Sequence, residues 1–152
     1  MSAPDRPASP EGSAGELPVT YRGIVYPWHC DHMGHMNVMW YVGKFDEATW
    51  HLFFHLGLTP SWLRQNNRGM AAVEQTIQYK RELVAGDLIT IRSAVLEVKD
   101  KSIRFSHEMR KEDSGELAAS TILVGVHLDT LARRACALPP HISKRARAMI
   151  AA

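Results

Sequence analysis

His29-Cys30-Asp31-His32-Met33-Gly34-His35-Met36-Asn37 is the stretch on which the reading of this chain turns. It stands between a β-rich run, Val19-Thr20-Tyr21-Arg22-Gly23-Ile24-Val25-Tyr26, and a segment in which Val38, Val42, Phe45, Thr49, Phe53 and Leu56 recur at helical spacings. The stretch is therefore a strand-to-helix loop that carries Asp31 close to a helix N-terminus. Unpaired backbone N–H groups and the positive end of the helix dipole converge there, so it is a place where negative charge is held. Asn37 is a competent N-cap and Gly57 a stop, which predicts a helix of about 20 residues, roughly 30 Å long. On it Lys44, Glu47, His51 and His55 are expected to face away from the apolar stripe.

Working outward, Pro60 to Asn66 reads as a short second helix. After Arg68-Gly69 the period changes: Val73, Ile77 and Tyr79 alternate with Glu74, Gln78 and Lys80, as in a half-buried strand. Leu88 to Val98, Ile103 to Arg110 and Leu117 to Asp129 are further strands. The turn sequences Lys99-Asp100-Lys101-Ser102 and Glu112-Asp113-Ser114-Gly115 between them predict an antiparallel meander. Ala118 to Leu128 is apolar at most positions, which suggests a central strand covered on both faces. His141 to Ala152 reads as a short exposed helix after Pro139-Pro140. One strand, one long helix and four long strands amount to an α+β class, a curved five-stranded antiparallel sheet wrapped around the helix.

At 152 residues the chain fits one core. We divide it into a leader at 1–16, rich in Pro, Ser, Gly and Ala and expected to be disordered, a domain at 17–140, and a C-terminal extension at 141–152. Eighteen Lys and Arg against 16 Asp and Glu leave a net charge of +2, which gives no general attraction to nucleic acid or membrane. No apolar run approaches the roughly 18 residues of a membrane span. Cys30 and Cys136 lack a paired Cys-x-x-Cys spacing, so a disulfide framework is not expected and a reducing cytoplasm fits.

The run Asp31-His32-Met33-Gly34-His35-Met36-Asn37-Val38, with Tyr41 and Phe45-Asp46-Glu47-Ala48 behind it, resembles the hotdog-fold acyl-CoA thioesterases of the 4-hydroxybenzoyl-CoA thioesterase superfamily. Looser matches follow in the same order: Gly86-Asp87, Gly115 before Ala118-Ala119, and Val126-His127-Leu128-Asp129 with Arg133-Arg134 and Pro139, so that the likeness spans about Val19 to Pro140. The helix-opening run is nearer to a subgroup that includes thioesterases for carnitine- and betaine-derived CoA esters. Many relatives have a second acid where this chain has His29.

The resemblance implies hydrolysis of a small or medium acyl-CoA, with coenzyme A entering as part of the substrate and no separate cofactor. It also implies a homodimer or homotetramer with the site between subunits. Asp31 is the implied catalytic carboxylate, either attacking the thioester carbonyl or serving as base to a water. Asn37 and His35 are candidate orienting groups, and the main-chain N–H groups around Asn37 and Val38 the oxyanion donors. Gly34, Val38, Tyr41 and Trp28 are candidate substrate contacts, Trp28 and Trp40 as acyl-pocket walls. The leaving thiolate needs little protonation, a thiol pKa being near 8.5, so no strong general acid is required.

Other readings remain beside it. A non-catalytic acyl-CoA or acyl-carrier binding module would share the fold. A metal-dependent hydrolase would draw on the His29 to His35 cluster, although His29, Cys30, Asp31, His32 and His35 are too densely spaced to put four ligands around one tetrahedral ion, and no metal is expected.

Overall fold

The computed structural model describes residues 17–150, so the leader assigned to 1–16 lies outside the described residues. In chain order the elements are β1 (Val19–Ile24), a 3₁₀ turn (Pro27–His29), α1 (Val38–Leu56), α2 (Pro60–Gln65), β2 (Arg68–Tyr79), β3 (Leu88–Val98), β4 (Ser102–Lys111), β5 (Leu117–Asp129), β6 (Arg134–Ala135) and α3 (Pro140–Ala148). The class is α+β: a curled antiparallel sheet holds α1 against its inner face.

Local signals set the ends of α1. The Asn37 side chain accepts from the Met39 N–H, and Gly57 turns left-handed at φ 93° to close the C-terminus. Below it, Phe45, Leu52, Phe53 and Leu56 meet Ile91, Val95, Ile103, Phe105 and Met109 of β3 and β4, with Phe53 edge-on to Phe105 at 5.4 Å. Register shifts at Val19/Tyr21, Ala72/Glu74, Val95/Glu97 and Met109/Arg110 bend the strands, as such irregularities do.

Strands β3, β4 and β5 form the expected meander, but the sheet order is β1-β3-β4-β5-β2, with the short β6 also on β5. β2 thus leaves the sequential path and pairs with β5 at the far edge. Residues 80–87 then recross the end of the sheet: the N–H groups of Lys80 and Arg81 donate to Ala118 O, the Leu83 carbonyl receives the Met36 N–H at 2.7 Å, and Asp87 O receives the Val25 N–H. Leu83 is fully buried under the start of α1. This crossing fixes the loop that precedes the helix.

Five expectations change. Lys44 does not face solvent: it is 4% exposed, because β1 runs alongside α1 and Tyr21 meets the lysine ammonium. Val38 and Val42 of the predicted apolar stripe are exposed instead, at 58% and 41%. β5 is an interior strand, but it is covered on one face within a single chain, and Ile122 on its other face is 38% exposed. Val73 falls in the Ala72/Glu74 register shift and turns outward. The C-terminal helix forms, but it buries Ile142 and Ala146 against the core and so is exposed on one side only.

One polar group lies inside the core. His107 is fully buried between Thr49 of α1 and Ser93 of β3. Thr49 Oγ1 donates to Phe45 O, so it accepts from His107 Nε2 at 2.8 Å. His107 Nδ1 pairs with Ser93 Oγ, which pairs with Thr20 Oγ1 at 2.7 Å, and Thr20 Oγ1 also reaches Ile91 O at 3.3 Å. Burial pushes the imidazole from 6.5 down to about 3, which keeps the ring neutral.

Candidate active site

The loop before α1 is a tight reversal. Cys30 and Met36 pair as an antiparallel bridge, the Asp31 N–H donates to His35 O at 3.1 Å, and the Gly34 N–H returns to Asp31 O at 3.0 Å. Gly34 sits at φ 83°, which a side-chain-bearing residue adopts only with strain. The reversal brings Asp31 and Asn37, six positions apart, into contact.

Asn37 does two things with one carboxamide. Its oxygen accepts from the Met39 N–H at 3.0 Å and caps the helix, while its Nδ2 donates to Asp31 Oδ2 at 3.0 Å. Asp31 Oδ1 accepts from the Met33 N–H at 2.9 Å. These donors, the Met33 amide first and then the Asn37 side chain, hold the Asp31 carboxyl below its ordinary value, and the nearby His32 and His35 act in the same direction. The carboxylate is therefore ionised throughout the physiological range, with its orientation fixed from both sides.

The backbone donors at the helix start are partly committed. The Asn37 N–H is given to His29 O at 2.9 Å, and that of Met39 to the cap, which leaves the Val38 N–H without a protein acceptor among the described residues. Of the oxyanion donors expected around Asn37 and Val38, only Val38 is thus available. Val38 lines a recess of about 320 Å³ whose one wall is Asp31, Met33, His35 and Val38 and whose other is Tyr79 to Glu82. Tyr41 forms the base, 4% exposed, its hydroxyl donating to Arg81 O at 3.4 Å. Burial first, and then neighbouring Tyr79, push that phenol up to about 12, so it stays protonated.

The structure sorts the remaining candidates. The His35 side chain bonds neither Asp31 nor Asn37: its Nε2 meets Glu82 Oε2 at 2.9 Å across the recess. Gly34 serves the turn and does not line the recess. Trp28 also stands apart, stacked on Tyr26 at 4.4 Å on the opposite side of the loop. The imidazoles diverge, since His29 Nδ1 accepts from the Tyr26 N–H and His35 is taken by Glu82. Among the described residues no three His, Cys, Asp or Glu side chains group as metal ligands. The wall Tyr79-Lys80-Arg81-Glu82 was missed as a unit. The one signal for it was the basic pair closing a predicted strand, which suits a phosphorylated carrier.

A carboxylate beside a capped helix start, with one uncommitted N–H on a residue that lines the recess, suits attack on an acyl carbonyl. The profile of the Thioesterase-like superfamily matches residues 25–146, which includes the whole of this arrangement. The chain belongs to that superfamily. Within it, this thioesterase-like chain is 32% identical over 114 residues to the L-carnitine dehydrogenase/betainyl-CoA thioesterase of Agrobacterium fabrum, covering 75% of itself but only 23% of that longer protein. It is 28% identical over 127 residues to the long-chain acyl-CoA thioesterase FadM of Escherichia coli, covering 81% of itself and 92% of the relative. Among solved structures it is similar to a gentisyl-coenzyme A thioesterase, with a TM-score of 0.74 and 28% identity over 84% of this chain and 98% of that one. The fold is therefore the hotdog fold of these thioesterases. No helix among the described residues is long and apolar enough to cross a membrane.

Proposed function

We propose that the protein is a thioester hydrolase that converts an acyl-CoA to the free acid and CoA. The observation that carries this reading is the Asp31 carboxylate bonded to the helix-capping Asn37, one residue from the open Val38 N–H. The superfamily membership and the names of the relatives support it. The thioester carbonyl oxygen would meet the Val38 N–H, and Asp31 would attack the carbonyl carbon or take a proton from the water that does. The C–S bond then breaks with the electron pair leaving on sulfur as thiolate, and where Asp31 was the nucleophile a water cleaves the resulting anhydride to release the acid and restore the carboxylate. Lys80 and Arg81, at the recess mouth, suit the phosphates of CoA, although Arg81 already pairs with Glu116 at 2.9 Å.

The reading extends to a homodimer or homotetramer. It is supported by β2, an edge strand with Val73 63% and Tyr79 49% exposed, and by the exposed apolar positions Val38, Met39 and Val42 at the start of α1. It also places the protein in the cytoplasm, which suits the two free thiols Cys30 and Cys136.

The test is thiol release over a panel of short, aromatic, long-chain and quaternary-ammonium acyl-CoAs. A protein that binds several of them and cleaves none is a binding module, and the proposal falls. Val38→Pro tests the oxyanion donor. Proline is favoured at the first helical position, and Asn37, at ψ 147°, already has the conformation a residue before proline requires. The substitution thus removes one N–H with the helix kept. We expect kcat to drop about 10²- to 10³-fold while Val38→Ala stays near the parent. Equal rates for the two variants would remove Val38 from the machinery.

The lowered Asp31 carboxyl also sets the pH profile. Because the ionised form is the active one, kcat/KM should stay level as pH falls and decline only below about 4, the ordinary aspartate value. An acid limb centred above about 5.5 would contradict the assigned surroundings of Asp31.

A further inference from the structure

On the far side of the loop from Asp31 lies a second recess, of about 610 Å³, between β1 and the first turns of α1. It shares no lining residue with the recess that holds Asp31. Its polar groups are unusual. Lys44 is 4% exposed, yet its ammonium meets only the Tyr21 hydroxyl at 2.8 Å and the Tyr21 ring face at 5.2 Å, and no carboxylate among the described residues pairs with it. A buried charge without a counterion is costly, which makes the position informative.

His29 adds a second donor. It is 8% exposed, and its Nδ1 accepts from the Tyr26 N–H at 3.0 Å, so the ring hydrogen resides on Nε2, where no protein acceptor among the described residues receives it. Burial and then Lys44 lower the imidazole below its ordinary value, which keeps the ring neutral. The Tyr21 hydroxyl, having accepted from Lys44, still has its own hydrogen to give. Three donor-bearing side chains therefore line one recess, and the one acid on the lining, Glu47, is exposed at the border with the neighbouring groove. The walls are flat: Trp28 lies parallel to Tyr26 at 4.4 Å and is 67% exposed, and Trp40 packs on His29 at 4.4 Å.

We propose that this recess is a second binding site, for a planar aromatic ring that bears negative charge. The ring stacks on the face of Trp28 or Trp40, and the anionic oxygens receive Lys44 Nζ and His29 Nε2. Gly43 leaves the helix side open, since a Cβ there meets nothing within 4 Å. An aromatic carboxylate and a phosphorylated nucleoside share this chemistry, and the probes distinguish them. The proposal does not depend on the hydrolase reading.

The experiment titrates the full-length protein with benzoate, with its neutral isostere benzamide and with adenosine 3′,5′-bisphosphate, followed by tryptophan fluorescence and calorimetry. Saturable binding of benzoate or the bisphosphate, at least about tenfold tighter than benzamide, is expected. Whichever anion binds identifies the source. Lys44→Met and Trp28→Ala should each weaken that anion by about tenfold or more, and Asp31→Asn should leave it unchanged. No saturation by either anion below about 10 mM, or benzamide binding as well as benzoate, overturns the proposal. So does undiminished binding in Lys44→Met. If Lys44→Met does not fold, the anion-to-amide comparison on the parent and the surface variant Trp28→Ala decide it. Loss of turnover in Asp31→Asn with binding intact separates this site from the catalytic one.

Discussion

Asp31→Asn is expected to lower kcat on an accepted acyl-CoA by about 10³-fold or more, with the thermal midpoint close to the parent value. The carboxamide has nearly the shape of the carboxylate, and its oxygen can still accept the Met33 N–H. What it lacks is the negative charge, and with it both the nucleophile and the base. Where the second carboxylate oxygen accepted from Asn37 Nδ2, the variant presents either that oxygen or an NH₂ group, so one of the two contacts is lost. The loop is half exposed and its reversal is held by backbone bonds among Cys30, Asp31, Gly34, His35 and Met36, so the local fold survives. Asp31→Ala should lose as much turnover. Thiol release measured beside circular dichroism checks the result, and a variant within about threefold of the parent rate would remove Asp31 from the chemistry.

Mild acid should destabilise the protein far more than an ordinary carboxylate inventory would. His107 is held neutral in the core, its folded value of about 3 lying well below the 6.5 of the unfolded chain. The unfolded state therefore takes up the proton first, and the stability due to this residue is full above pH 6.5 and falls as pH drops toward 3. The slope approaches about 1.4 kcal/mol per pH unit, and the total is on the order of 4 to 5 kcal/mol. His29 and His127 are also lowered by burial and act in the same direction. Urea unfolding at fixed protein concentration between pH 7.5 and pH 4 measures the whole effect. His107→Gln isolates the share of one residue. It should be less stable at neutral pH, because the chain from Thr20 to Thr49 is broken, yet its stability should fall less steeply below about 6.5. Parallel curves for parent and variant would show that the buried imidazole is not the titrating group.

The ends of α1 were readable because the signals are local: a capping asparagine before an apolar period, and a glycine where only a left-handed residue closes the helix. The meander of β3, β4 and β5 was readable for the same reason, since turn residues separate its strands. The position of β2 was not. Its alternation at Val73, Ile77 and Tyr79 says that it is a strand, but pairing with β5 rather than β3 is a choice made between distant segments. That choice decides half of the site. The placing of Asp31 at the start of α1 lies within one short loop and was anticipated, whereas the wall from Tyr79 to Glu82 reaches the recess only because β2 ends beside Ala118 and the chain recrosses beneath α1. Lys44 was misassigned because helical periodicity places a residue on a face without saying what stands opposite. Here that is Tyr21. Trp28 lies next to the loop in sequence, but its ring turns to the opposite side from Asp31.

The backbone bond from the Met36 N–H to the Leu83 carbonyl, together with the His35–Glu82 pair, ties the two walls of the Asp31 recess together. Those walls are far apart along the chain, and the second is positioned by an outer strand whose partner is synthesised last among the long ones. Newly made or refolding molecules can acquire the helix and its cap early, since those are short-range, but the cleft for substrate is complete only after β2 has paired with the distant β5. Competence for turnover is thus a late event in the life of each molecule, and a partly assembled sheet would hold a charged Asp31 with nothing opposite it.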